Sequence, residues 1–423
     1  MKTKRMAFVL GFCSFFIFTA SGQANPGSNK QIQDTRPLIL EHVNVINPAE
    51  DTPRLDQTIV VLDGKIQSIS PAAVTVPGER IDLGGAWVLP GLIYAHAHPM
   101  NIAAARCMLS CGITTGRSLL AWNYADIGLR SLHQHGDVDI PTILAAGYPV
   151  LANYVRFKPD ITAIFLDLPA LGDLRSLDRI GPDGARRIVR ANVVHQADWI
   201  KVFANERGGI LETEPSARNL NDEELQAAVE EATRLGFPVA AHAYSDEGVA
   251  AAVNAGVRTI EHGSLITEPT LRLMRDHGTY LVPTLFGFSV MPASDSTPEE
   301  WALQPRLEML LKSGHQAVAT ARRLGVPVIA GADSEYGEKD PTLIDEIMQL
   351  AAAGFSNLEA IRAATSWSAE CLRISSSKGA LRVGLDADMV IYKTNPVRDL
   401  AVLRQPMMII NGGRIFRRQA PPQ

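Results

Sequence analysis

Between residues 91 and 380, short β-forming runs alternate with amphipathic helical runs, and the alternation is sustained eight times. The candidate strands fall at 92–96, 113–116, 142–145, 199–203, 239–243, 259–262, 280–283 and 328–331. Helix signals lie between them. Asn221 with Glu224 three residues later forms a capping box, and the helix it opens stops at Gly236. Thr297 followed by Pro298 and Glu300 opens another, and Ser356 with Glu359 a third. Eight strand–helix units in series predict an α/β fold, a (β/α)8 TIM-like barrel, over residues 91–380.

The flanks read differently. Leu38-Ile39-Leu40 with Val43 and Val45, and then the run 58–62, are strand-like, and Asp63-Gly64 is a hairpin turn. Strand-like runs return at 387–392 and 407–410, followed by the tight turn Asn411-Gly412-Gly413. Residues 25–90 and 381–423 are therefore expected to build one small β-sandwich domain from both chain ends. Residues 1–24 read as a cleavable signal peptide. Lys2, Lys4 and Arg5 precede an apolar run over 6–20, and Ser21-Gly22-Gln23-Ala24 suits cleavage after Ala24. That run of about 15 residues is short of the roughly 20 that span a bilayer. The expectation is export to the periplasm, with no membrane span left after cleavage. A net charge of -5 without a Lys/Arg cluster argues against a nucleic-acid partner.

The chemistry gathers at the strand ends. His96 and His98 close the first strand two residues apart, a spacing that turns both toward one metal ion. His242 ends the fifth strand, His262 the sixth, and Asp333 follows the eighth. All five lie on the rim where barrel active sites form. Lys201, on the fourth strand among Trp199, Ile200, Val202 and Phe203, is in a setting that drives off its proton. A free amine there can capture carbon dioxide as a carbamate and bind metal as a carboxylate does.

These passages resemble the amidohydrolase superfamily, in its binuclear, lysine-carbamate form. Pro90-Gly91-Leu92-Ile93 leading to His96 and His98 is similar to that family's signature. So are Ala197-Asp198-Trp199-Ile200-Lys201, Ala241-His242-Ala243, Ile260-Glu261-His262-Gly263 and Ala330-Gly331-Ala332-Asp333. The likeness runs over nearly the whole mature chain. Its nearest look is to the exported Xaa-Pro and Xaa-Arg dipeptidase-like branch, prolidase-type and imidazolonepropionase-like. The resemblance implies two divalent metal ions, with zinc the expected element. His96, His98 and Asp333 would hold one, His242 and His262 the other, with N6-carboxylated Lys201 bridging. It further implies hydrolysis of an amide bond in a small molecule, a dipeptide or N-acyl amino acid, by a metal-bridging hydroxide. Asp333 would act as general base and then general acid.

Tyr244, two residues past His242, is a candidate substrate contact, as are Arg156 and Arg117, expected on loops of the same face. The chain also departs from the family pattern. Tyr94 stands where an acidic residue is usual, two before His96 and, by alternation, facing the same interior. Thr114-Thr115-Gly116-Arg117-Ser118, Gly147-Tyr148-Pro149-Val150 and Pro341-Thr342 replace three further family passages. Two other readings stand beside the first: a cyclic amide or lactone hydrolase, and a catalytically silent exported binding protein. Whether the chain forms a homo-oligomer stays open.

Overall fold

The computed structural model describes residues 36–71, 73–152, 179–290, 297–334 and 342–418. The signal-peptide expectation for residues 1–24, Arg156 and Pro341 lie outside them.

Both chain ends enter one seven-stranded sheet. Its strands are β1 (Leu38–Val45), β2 (Arg54–Leu62), β3 (Lys65–Ser70), β4 (Glu79–Pro90), β12 (Met389–Tyr392), β13 (Met408–Asn411) and β14 (Arg414–Arg418). The order is β14-β13-β12-β4-β1-β2-β3, antiparallel except where β1 meets β4. The Asp63-Gly64 and Gly412-Gly413 turns sit where expected, all four residues in the left-handed region that such turns require. The expected small β domain built from both chain ends takes the form of one continuous sheet. It encloses a core by curling: Ile66 N–H donates to Leu385 O and Ala387 N–H to Gly64 O, so edge strand β3 returns to the passage entering β12. Ile39 aside, the alternate residues Leu38, Leu40, Ile59, Val61, Ile66, Met389 and Ile391 fill the concave side.

The middle of the chain supplies the barrel. One arc holds β5 (Leu92–Ala97), β6 (Ile113–Ser118) and β7 (Thr142–Leu144). The other holds β8 (Ile200–Phe203), β9 (Val239–Ser245), β10 (Thr259–Leu265) and β11 (Tyr280–Val282), and every pairing in both arcs is parallel. Individual hydrogen bonds join the arcs at both seams. At one, Trp199 N–H donates to Ala145 O, Val150 N–H to Lys201 O and Phe203 N–H to Val150 O. At the other, the segment expected as the eighth strand keeps only the bridge Leu281–Val328. It still reaches across the gap: Ile329 N–H donates to Leu281 O, Ala95 N–H to Ala330 O and Asp333 N–H to His96 O. Gly331 makes that approach possible, because a Cβ there would lie 2.6 Å from His96 N.

Alternation sorts the strands. Ile200, Val202, Ala241, Val253, Ile260 and Leu281 pack between strands and outer helices, while Trp199, Lys201, Ala240 and His242 point inward. The outer helices begin as their sequences dictate. Asp222–Arg234 is capped by Asn221 and Asn357–Ala363 by Ser356, each with the reciprocal Glu contact of a capping box. Among the described residues no helix is long and apolar enough to cross a membrane.

Candidate metal centre

Four histidines and one carboxylate converge. His96 lies near the end of β5 and His98 just past it, His242 and His262 midway along β9 and β10, which run on to Ser245 and Leu265 beyond the expected strand ends, and Asp333 after the eighth segment. Asp333 Oδ1 lies 2.8 Å from His98 Nε2 and 3.3 Å from His96 Nε2. The donor atoms of His96, His98 and Asp333 all fall within 4.8 Å of one another. Beside them, His242 Nδ1 and His262 Nε2 are 2.8 Å apart, and Asp333 Oδ2 stands 3.9 Å from His262. The rings of His96 and His262, one from each group, have centroids 5.4 Å apart.

Each ring turns its other nitrogen to a separate oxygen. His98 Nδ1 donates to Leu120 O at 3.3 Å and His242 Nε2 to Glu206 O at 3.2 Å. His262 Nδ1 meets the Thr284 hydroxyl at 2.8 Å, and His96 Nδ1 faces Glu261 Oε2 at 2.8 Å. Carbonyl oxygens cannot donate, so the outward nitrogens of His98 and His242 carry the protons and their inward nitrogens present lone pairs. Lone pairs aimed at one another are repulsive without a cation between them, so the donor set fits a metal centre. The electrostatics agree. Burial, reinforced by Lys201, lowers His96 to about 4, and it holds His242 and His262 well below the usual imidazole range. Metal ligation needs neutral imidazole. For Asp333 burial acts the other way, but His96 and His98 outweigh it and hold the carboxyl well below its ordinary range.

Lys201 is 2% exposed and projects into the same space, its Nζ 5.6 Å from the Phe203 ring that stacks on His242. Burial lowers it to about 8, against the opposing pull of Glu261 and Asp333. No hydrogen bond to another described residue engages its amine.

Tyr244 lies beside the second histidine pair, its ring stacked on His262 at 4.8 Å. It packs with Phe288 and Leu310, and Gly208 lies against the hydroxyl end of its ring. Arg117 is not on a loop, as the sequence suggests. It stands within β6, wholly buried, with its guanidinium spent inside the barrel on Ala95 O, Thr259 and Glu261. Tyr94 does not face the histidines either. Its neighbours Ile93 and Ala95 pack inward with Trp199, Ala240, Val282 and Ile329, whereas Tyr94 joins the outer shell and bonds Ser334 and Thr342. The β5–β6 register shifts between Tyr94 and Ala97, which breaks the alternation just before His96.

Sequence reasoning missed two residues at the centre. Glu261 stands in the sequence as no more than part of a strand, yet it is wholly buried between Arg117 and His96. Burial raises its carboxyl, but Arg117 and His96 prevail and bring it down to about 2. Arg207 follows the fourth strand, half-buried, between Glu206, whose carbonyl holds His242, and Gly208, which lies against Tyr244. No signal beyond its place four residues after the β8 strand end marks it.

A further buried acid supports the centre from behind. Glu346 accepts the Phe286 N–H at 2.7 Å and braces the turn that carries Thr284, the partner of His262. Burial raises its carboxyl from 4.5 to about 8. The unfolded chain releases this proton earlier than the folded one does. Stability from Glu346 is thus complete below about pH 4.5 and is lost as pH rises through about 8. In the metal-free protein, Glu346→Gln is expected to remove this decline; urea midpoints measured from about pH 5 to about pH 8 check it. An unchanged decline in the variant would assign the loss to other groups.

A barrel rim that brings these donors together is a candidate metal centre. The chain belongs to the amidohydrolase family, which it matches over residues 87–413. It is 30% identical to an uncharacterized protein of Mycobacterium tuberculosis over 89% of this chain and 100% of that one. It is 31% identical to ochratoxinase of Aspergillus niger over 56% of this chain, which spans 50% of that enzyme. Among solved structures it is similar to a Xaa-Pro dipeptidase with bound methionine, at a TM-score of 0.78 and 25% identity, over 90% of this chain and 99% of that one. The protein is accordingly a hydrolase acting on C–N bonds.

Proposed function

We propose that the chain hydrolyses the amide bond of a dipeptide or N-acyl amino acid, using two divalent ions, zinc by preference. His96, His98 and Asp333 would hold one ion, His242 and His262 the other, with Lys201 carboxylated between them. The observation that carries this reading is the convergence of His96, His98 and His262 nitrogens on Asp333, with His242 against His262 and a buried lysine whose amine is brought down to about 8 beside them. Bound there, the ions supply an acidified water and polarise the scissile carbonyl. The protein's own groups do the rest. Asp333 takes the water's proton and delivers it to the leaving nitrogen. The Tyr244, Phe288 and Leu310 wall receives an apolar part of the substrate. Arg207, which follows the Glu206 whose carbonyl accepts from His242, is the nearest cation in sequence that would receive a carboxylate. The likeness to a Xaa-Pro dipeptidase supports a substrate of this size. Export to the periplasm on a cleavable N-terminal signal belongs to the same proposal, and a mature chain beginning after Ala24 would support it.

A panel of Xaa-Pro and Xaa-Arg dipeptides and N-acyl amino acids tests the substrate class on zinc-loaded protein. Turnover is expected on at least one, falling about tenfold or more when the substrate carboxylate is amidated. Arg207→Met is expected to erase that preference by raising KM for the acid alone. Turnover confined to lactones or cyclic amides would replace this reading with the ring-opening one. Full metal occupancy with no turnover on any class would favour a binding protein.

A further inference from the structure

We infer that Arg117 and Glu261 form a buried clamp whose task is to position His96 as a metal ligand. The inference rests on the metal-centre reading above and assigns roles to two residues that touch neither substrate nor metal.

The clamp closes on His96 from two sides. Arg117 Nε donates to Ala95 O at 2.6 Å, gripping the backbone immediately before His96. Its Nη2 donates to Glu261 Oε1 at 2.9 Å, and Glu261 Oε2 stands 2.8 Å from His96 Nδ1. One guanidinium thus fixes both the carbonyl that leads into the ring and the carboxylate that faces it. Two further contacts hold the clamp itself. Thr259 bonds both partners, and the Arg117 guanidinium lies 4.4 Å over the Trp199 ring. The elements involved are β5, β6 and β10, with Trp199 on the approach to β8, so the clamp crosses the barrel interior.

Two features separate this from an ordinary core ion pair. First, His96 Nδ1 and Glu261 Oε2 are both buried, and although close they are off the line of a hydrogen bond, so neither is otherwise paired. Leaving a buried carboxylate oxygen and a ring nitrogen in that state is costly unless the ring is meant to turn toward it. A carboxylate at Nδ1 fixes the proton there and makes Nε2, the nitrogen toward Asp333, the stronger ligand. Second, position 94 carries an outward tyrosine and has no acidic group to offer this ring. The outer nitrogens of the other three rings meet a backbone carbonyl or a hydroxyl, whereas Glu261 sets a carboxylate at that of His96. The clamp therefore sets the affinity of the His96, His98, Asp333 site and leaves the His242, His262 pair largely unaffected.

Metal titration against a competing chelator, with melting of the metal-free protein beside it, tests the assignment. Zinc is the probe. In Glu261→Gln, one of two bound ions is expected to bind about 10- to 100-fold more weakly, and the other to be unchanged. Because this variant strands Arg117, the double variant Arg117→Met with Glu261→Met is the decisive one. Replacing a buried ion pair with apolar residues of similar volume commonly preserves stability. The double variant is expected to recover the melting temperature of the metal-free wild type while keeping the weakened site. If it also recovers wild-type affinity for both ions, the clamp is merely structural and the inference fails. Equal weakening of both ions would overturn it too. A wild type that binds no ion at all would sink the metal-centre reading itself, whereas loss seen only in the variants bears on the clamp alone.

Discussion

Asp333→Asn is expected to lower kcat by about 10²- to 10⁴-fold with little change in KM. Asparagine has nearly the same shape, so the left-handed backbone at position 333 and the Asp333 N–H bond to His96 O have no reason to change. What disappears is the charge that His96, His98 and His262 surround, and with it the group able to take and return a proton. A proton acceptor held well below its ordinary pKa is ionised throughout the neutral range, which suits the opening step. The measurement is kcat on the best substrate, with the melting temperature of the variant as control. A loss under tenfold with both ions still bound would remove Asp333 from the proton path.

Lys201 offers the second large effect. Lys201→Met replaces a buried, mostly aliphatic side chain with another of similar length, so the packing against Phe203 survives. The amine does not, and about 10²-fold or more of kcat is expected to go with it, together with tight binding of at least one ion. Lys201→Arg should fare no better, because a guanidinium keeps its charge and cannot form a carbamate. Added acetate or propionate is expected to restore part of the activity of Lys201→Met by entering the space as a free carboxylate. Wild-type turnover in Lys201→Met would show that the lysine is an ordinary barrel residue.

Much of this was legible before any coordinates. His96, His98, His242, His262 and Asp333 follow or close apolar β-forming runs in the sequence, and a barrel gathers such positions on one rim whatever the loops do, even where β9 and β10 extend past His242 and His262. The capping boxes at Asn221 and Ser356 also carry their own geometry, since the cap and the third helical residue must face each other. Period-two alternation is less dependable at the same rim. It places Tyr94 with His96, and that inference fails; nor does it hold between Glu261 and His262, adjacent residues that both reach the site. A register shift follows Tyr94, and His262 takes a φ of 76°, so ligand-bearing residues leave the pleat where they meet the site. Arg117 was misplaced for a related reason: Thr114 to Ser118 read as a loop in part, whereas the strand continues to Ser118 and carries the guanidinium inside. Arg207 lies on a connection whose path no periodicity records.

The metal content and intact mass of the purified wild-type chain test the central claim most directly. After exposure to zinc and bicarbonate, the account predicts two ions per chain and a mass increased by one carbon dioxide, lost when Lys201 is replaced by methionine. A chain that holds no ion, or only one, with Lys201 unmodified would contradict the binuclear centre.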